Sequence, residues 1–276
     1  MEPASSAELY TNISLPLLGI LSTTLVLGAV LPLAAILGYA TGVRFRRRCL
    51  ARNEKVDAVL GEMTIGAILA LLGLLLAFYF SHSLSVADTV KTTLLEEANA
   101  LGTAFDRADY LADPGRTELQ TVILEYAETR LFDNDADVFT VDGVQTFLGA
   151  SIEAQAKLWP LTVKLTSDPL NPVTPALQTF ISGSINEVLD AHLRRMQTLS
   201  TPISDAAQVM VLATALAALF LLGNRAGALG RVLTWRTFVF SGFLFVVMIT
   251  VTDILRSEEG MVQVDDTALR ATIFEM

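Results

Sequence analysis

The chain has 276 residues, of which 52% are hydrophobic and 17% are charged, and its formal net charge at pH 7 is −10. Soluble domains carry about 25% charged residues, so this composition, with a mean hydropathy of +0.51, excludes an ordinary soluble fold and indicates a membrane protein. The excess of negative charge repels polyanions, so we expect no nucleic-acid partner.

Four apolar runs lie along the chain, two before and two after an acidic block. They are Ile13–Gly42, Met63–Phe80, Ala206–Leu222 and Trp235–Thr252. Each is close to or above the roughly 20 residues that cross a lipid hydrocarbon layer as one helix. We therefore predict four transmembrane helices. The first run is too long for a cleavable signal peptide and has no basic residue before it, and Pro32 predicts a kink or a break within it.

The second run mixes small residues with leucines. Gly66, Ala70, Gly73 and Ala77 recur at a spacing of three or four residues. Small residues at this spacing let helix backbones approach closely. We expect this span to pack on protein and not on lipid alone.

Basic residues are concentrated in the two short loops that follow the first and third runs. These loops contain nine of the nineteen lysines and arginines, namely Arg44, Arg46, Arg47, Arg48, Arg52, Lys55, Arg225, Arg231 and Arg236. The positive-inside rule then places both loops in the cytoplasm. The sequence thus predicts a multi-pass protein of the cell (inner) membrane whose middle domain is extracytoplasmic.

The order of these segments predicts the domain organisation. We expect an N-terminal transmembrane pair (1–82), an acidic helical extramembrane domain (83–205), a C-terminal transmembrane pair (206–252) and an acidic tail (253–276). The fold class is therefore all-α, with four transmembrane helices and a helical domain inserted between spans two and three.

The acidic domain contains eighteen acidic and eight basic residues, and its apolar pattern predicts four helices. Proline-containing turns and a polar segment separate them. The predicted helices are Leu84–Leu111, Arg116–Leu131, Val144–Leu165 and Ala176–Leu199. We expect the first to continue from span two and the last to continue into span three.

Motifs for catalysis or metal binding are weak. The two histidines are far apart, there is one cysteine, and no glycine-rich phosphate loop is visible. Asp133–Asp137 begins like a calcium loop, but Val138 and Val144 replace the required glycine and bidentate glutamate. The sequence therefore predicts no enzyme, no cofactor and no metal site.

A polar network is predicted near the end of the first helix of the acidic domain. Glu97 and Arg107 bracket small residues on one stripe of that helix, and Asn99 and Thr103 lie on the adjacent stripe. This pattern indicates a close helix contact with buried polar groups, which require partners. Partners are expected on the next helix at Glu125, Tyr126 and Arg130. The alternative interpretation is that these residues contact a ligand or an ion.

Several motifs lie in a particular order along the chain, namely Leu72–Ser81, Glu97–Ala104 with Arg107, Leu111–Arg116, Tyr126–Arg130, Thr252-Asp253 and Gly260–Val264. Taken together, they resemble a family of mostly bacterial four-span membrane proteins described as bestrophin-like. The resemblance covers most of the chain, from the second span to the tail.

Bestrophins are pentameric, anion-selective channels in which the second of four spans lines the pore. The resemblance implies a homo-oligomer in the lipid bilayer, with a pentamer favoured, that passes small inorganic ions, above all anions such as chloride. The implied pore-lining residues are Ile68, Leu72, Leu75 and Tyr79. Two features depart from bestrophins: Phe80–Ser83 lacks their arginine, and the basic loops place the helical domain outside. The alternative function is a non-conducting scaffold or sensor.

Overall fold

The computed structural model describes residues 19–53, 62–131, 141–169, 171–200, 205–255 and 265–276. Within these residues the chain is all-α, as predicted. The helices are α1 (Ile20–Ala51), α2 (Glu62–Ala108), α3 (Gly115–Glu128), α4 (Val141–Thr166), α5 (Pro175–Ser200), α6 (Asp205–Ala228), α7 (Trp235–Leu255) and α8 (Thr267–Glu275).

Four of these helices, α1, α2, α6 and α7, are long and apolar enough to cross a membrane. This confirms the prediction of a multi-pass membrane protein. Helix α1 runs through Pro32 without a break, so the first span is not split there. It also continues to Ala51 through its arginines, because arginine is a good helix former.

Helix α2 is 47 residues long and joins the second apolar run to the acidic domain without interruption. Neither glycine nor proline occurs between Ser81 and Leu101, so nothing in this stretch ends the helix. The predicted continuity is confirmed for this helix. The predicted continuity from α5 into α6 falls on residues 201–204, and the weak calcium-like segment falls on 133–137, both outside the described residues.

The chain divides into two compact units. One, which we call the span unit, contains Pro16–Ala87 and Ile203–Gln263. The other, which we call the acidic unit, contains Asp88–Pro202 and Val264–Met276. Helix α8, in the segment predicted as a separate acidic tail, belongs to the acidic unit because Leu269 is fully buried in its core.

In the span unit, α1 and α6 pack with their backbones in close contact. Gly38 and Gly42 on α1, like Gly223 and Gly227 on α6, form a G-x-x-x-G pair. A Cβ added at any of the four would lie closer than 3.0 Å to the backbone of the facing helix. Small residues at this spacing are what allows two membrane helices to approach so closely.

The two helices run parallel. Gly38 faces Phe220 and Gly42 faces Asn224, so residue numbers rise together along both helices. Asn224 also donates a hydrogen bond to the Thr41 hydroxyl at 3.0 Å, which fixes the register between α1 and α6.

This parallel course brings the arginines at the end of α1 and the turn after α6 to the same end of the span unit. The Arg46 guanidinium lies against Gly230, in the turn after α6, where φ is +70°. Glycine suits this position because a side chain there would collide with Arg46 and would require a left-handed backbone. A shared end for both loops is what the positive-inside argument requires, and the side of the membrane stays a prediction.

Candidate functional site

Five ionisable side chains are buried together in the acidic unit, at the junction of α2, α3 and α5. Glu97 comes from α2, Tyr126 from α3, Arg130 from the turn after α3, and His192 and Arg195 from α5. The first three are fully buried and the last two are only 3% exposed. We call these five residues the Glu97 cluster.

The carboxylate of Glu97 is the centre of the cluster. Its Oε1 accepts hydrogen bonds from Arg130 Nε at 2.7 Å and from the Tyr126 hydroxyl at 3.2 Å. Its Oε2 accepts one from Arg195 Nη1 at 2.5 Å. The same Nη1 of Arg195 also donates to the backbone carbonyl of Arg130 at 3.4 Å. Both carboxylate oxygens are therefore engaged by protein donors.

Tyr126 links the carboxylate to an imidazole, because its hydroxyl lies 2.9 Å from His192 Nδ1. With the hydroxyl proton directed to Glu97, the imidazole donates from Nδ1 and is in its Nδ1–H tautomer. Burial raises the pKa of Tyr126 above its ordinary value and lowers the pKa of His192 to about 4. Both groups are therefore neutral at pH 7.

Local helical spacing explains how these side chains converge. His192 and Arg195 are three residues apart on α5 and share one of its faces. Tyr126 and Arg130 are four residues apart at the end of α3. Two of the residues near Glu97 on α2, Ala98 and Ala100, are small and buried, which helps other helices to approach this part of α2.

Glu97 is the one carboxylate among the five residues of the cluster, and it pairs with two arginines. Arg130 uses only Nε in its pairing with Glu97. Within the part of the chain that the structure describes, its Nη1 and Nη2 atoms have no hydrogen-bond partner. Its Cζ lies 5.4 Å from the centroid of the Phe147 ring. This arrangement disfavours a metal cation, and the described residues contain no group of three histidine, cysteine or acidic side chains that could hold one.

The structure brings together three of the six predicted network residues, Glu97, Tyr126 and Arg130. Asn99 is exposed, Thr103 is half-buried, and neither belongs to the cluster. Glu125, named as a partner, is exposed and pairs instead with Lys157 at 3.7 Å.

Arg107 also lies outside the cluster, contrary to the predicted stripe. Ten residues of an α-helix correspond to almost three turns but not to a whole number of them, so Arg107 and Glu97 face different directions. Arg107 donates to the backbone carbonyl of Phe180 at 3.2 Å, and its guanidinium lies 4.2 Å from the centroid of that ring. It therefore ties the end of α2 to α5.

The sequence analysis did not predict His192 and Arg195, although the apolar stripe of α5 indicates them. Ile181, Ile185 and Val188 form a stripe on α5 at spacings of four and three, and all three are fully buried. The next positions of that stripe are 192 and 195. Polar residues that continue a buried stripe indicate a buried polar network.

The predicted pore-lining stripe lies on the packed face of α2. Leu72 and Tyr79 are 2% and 8% exposed in the core of the span unit. Ile68 and Leu75 are partly buried against the same core. The chain therefore packs this stripe against its own core, and the role of the stripe in a pore stays a prediction.

The opposite face of the same span is exposed. Gly66, Ala70, Gly73 and Ala77 all lie on it. A Cβ added at either glycine would meet nothing within 4 Å. The small-residue face expected to pack on protein thus has no close contact within the described part of the chain.

Comparison with protein families, curated proteins and solved structures finds no match for this chain. The resemblance to the bestrophin-like family is therefore a prediction from its motifs. The structure itself establishes an all-α chain with four helices suited to cross a membrane and a buried ionic cluster.

Proposed function

We propose that the chain is the subunit of a homo-oligomeric, bestrophin-like ion channel that passes small anions such as chloride. The observation that carries the proposal is the unused face of the second span. Helix α2 packs in its own subunit through Leu72 and Tyr79 and leaves Gly66, Ala70 and Gly73 exposed. Small residues in membrane helices favour close contact with other helices, so further copies of the chain are the proposed partners.

The proposed pore forms where the exposed faces of α2 from several copies meet around one axis. Leu74 is 53% exposed and lies between Ala70 and Ala77 on that face. A ring of leucine side chains can narrow a pore and gate it by excluding water. We therefore place the proposed constriction at Leu74, on the face opposite to Leu72.

Passive conduction is favoured over coupled transport because the apolar run Met63–Phe80 contains no charged residue. Transporters that couple ion gradients use ionisable groups within their spans. The choice of anions and of a pentamer comes from the resemblance to bestrophins. The alternative is a non-conducting scaffold or sensor, in which the small-residue face closes a dimer.

Conduction is tested with the purified protein in a planar bilayer under an asymmetric KCl gradient. We expect a reversal potential shifted toward that of chloride. A shift toward the potassium potential would contradict anion selectivity. The absence of current from protein that is folded and inserted would support the scaffold.

Assembly is tested by cysteine cross-linking. Cys49, the only cysteine, is replaced by serine, and Ala70→Cys is compared with Val246→Cys. Val246 is 56% exposed on α7, so it serves as a control on another exposed face. The channel proposal predicts disulfide-linked products from Ala70→Cys and a pentameric mass by native mass spectrometry. A dimeric mass would support the scaffold, and equal cross-linking from both positions would contradict a specific α2 contact.

A further inference from the structure

The Glu97 cluster contains donors that the protein does not satisfy. Arg130 is fully buried, and only its Nε is hydrogen-bonded, to Glu97 at 2.7 Å. Among the described residues, its Nη1 and Nη2 have no acceptor. These two nitrogens carry four of the five N–H groups of a guanidinium. Buried donors of a charged group are rarely left without a partner, so an acceptor is expected beside them.

Arg130 shares its negatively charged partner with a second arginine. Glu97 already accepts from Arg130, Arg195 and Tyr126 with its two oxygens. His192 is neutral at pH 7. Among the described residues, Glu97 is the acidic partner of Arg130, and Arg195 pairs with the same carboxylate, so Arg130 does not have this negative charge to itself.

The possible acceptors for the Arg130 N–H groups differ in their charge. A buried water molecule would accept the N–H groups but would add no negative charge beside the Arg130 guanidinium. A monovalent anion satisfies both requirements. A dianion would bring more negative charge than one guanidinium balances, at the additional cost of removing a more strongly hydrated ion from water.

We propose that the Nη1–Nη2 edge of Arg130 binds one small monovalent inorganic anion, with chloride as its occupant. The two Nη atoms form a planar fork suited to hold one anion. The full burial of Arg130 and the Phe147 ring near its Cζ restrict the site to a small, dehydrated ion. The site lies in the acidic unit and is independent of whether the spans conduct.

Binding is measured on the purified full chain in detergent by equilibrium dialysis with radioactive chloride, with gluconate as the competing bulk anion. We expect saturable binding of one chloride per chain. Arg130→Met should weaken it by at least about tenfold, because the fork and its charge are removed. The matched control is Arg194→Gln, which removes the same charge from an exposed arginine that pairs with Glu96 at 3.1 Å. It should bind as the original chain does.

Failure to bind chloride in the original chain, or unchanged binding by Arg130→Met, would overturn the proposal. Because that variant removes one partner of Glu97 and can prevent folding, the unchanged chain provides a second test. Crystals grown in sodium bromide should show an anomalous peak in hydrogen-bond contact with both Nη atoms of Arg130. The absence of a peak there would equally overturn the site. Neither test requires conduction, so each separates this site from the channel proposal.

Discussion

Replacement of Gly38 by alanine is expected to force α1 away from α6. The added Cβ would lie 2.8 Å from the carbonyl carbon of Phe220 and closer still to its oxygen. Ordinary contacts of this kind lie at 3.4–4 Å. The helices therefore have to separate locally by roughly 0.6 Å or more. Because the obstacle is backbone, no change of side-chain rotamer can relieve it.

The loss of stability in Gly38→Ala follows from this separation. A gap of about 0.5–1 Å forfeits a quarter to a half of the dispersion energy of each facing atom pair. Overpacking typically costs about 1–3 kcal/mol, and the backbone obstacle places Gly38→Ala at the upper end. The higher helix propensity of alanine offsets up to about 1 kcal/mol of this overpacking cost. We expect a net loss of about 2 kcal/mol and a Tm lower by about 4–8 °C.

Cys49 provides the assay. It is the only cysteine, and it is 7% exposed near the end of α1. A thiol-reactive fluorogenic dye added to the detergent-solubilised protein therefore reports the temperature at which the span unit opens.

Gly28→Ala is the matched control, since it makes the same change on the same helix. Its Cβ would lie 3.6 Å from the Phe245 ring, an ordinary contact, so the Tm should stay unchanged or rise slightly. Equal Tm values for Gly38→Ala and Gly28→Ala would refute the close backbone contact between α1 and α6.

Three further predictions concern the cluster and the second span. Glu97→Gln removes the carboxylate that two buried arginines share, so chemical denaturation should show an unfolding free energy lower by about 3–5 kcal/mol. The control Glu96→Gln changes an exposed pair and should lower the unfolding free energy by less than about 1 kcal/mol. Similar losses for the two variants would contradict the buried pairing. Burial lowers the pKa of His192 from 6.5 to about 4. Between these two pH values the unfolded chain binds more protons than the folded chain, so the unfolding free energy should be constant above pH 7 and lower by about 2 kcal/mol at pH 5. His192→Gln should weaken this dependence, and an unchanged pH profile would refute the buried neutral imidazole. Leu74→Ala should raise single-channel conductance, whereas Leu72→Ala should lower the Tm through a core cavity; the reverse pattern would place the pore on the packed face of α2.

Helix positions could be read from the sequence because they depend on local signals. The predicted helix Ala176–Leu199 corresponds to Pro175–Ser200, and Arg116–Leu131 corresponds to Gly115–Glu128. Proline-containing turns mark the start of both, and the apolar period between the breaks determines helix type. The spans were equally readable, since the length of an apolar run relates directly to membrane thickness.

Contacts between helices required the tertiary structure. Glu97 and Arg195 are separated by 98 positions, and no local pattern identifies them as partners. The small-residue motif is a second example, because the sequence alone does not decide which small-residue face makes a contact. The sequence indicated a contact on the face of α2 around Gly73, yet within the chain the close contact uses Gly38 of α1 and Gly223 of α6.

The sequence by itself thus determined the class of the protein, its four apolar spans and most of its helix bounds, because composition and short-range periodicity decide these properties. Only the tertiary structure decided which faces are buried and which charges meet. Leu72 faces the core, Gly73 is left exposed, and Arg130 is buried with an incomplete set of partners. These outcomes depend on how distant helices pack, because a side chain is buried or paired only by what lies opposite to it.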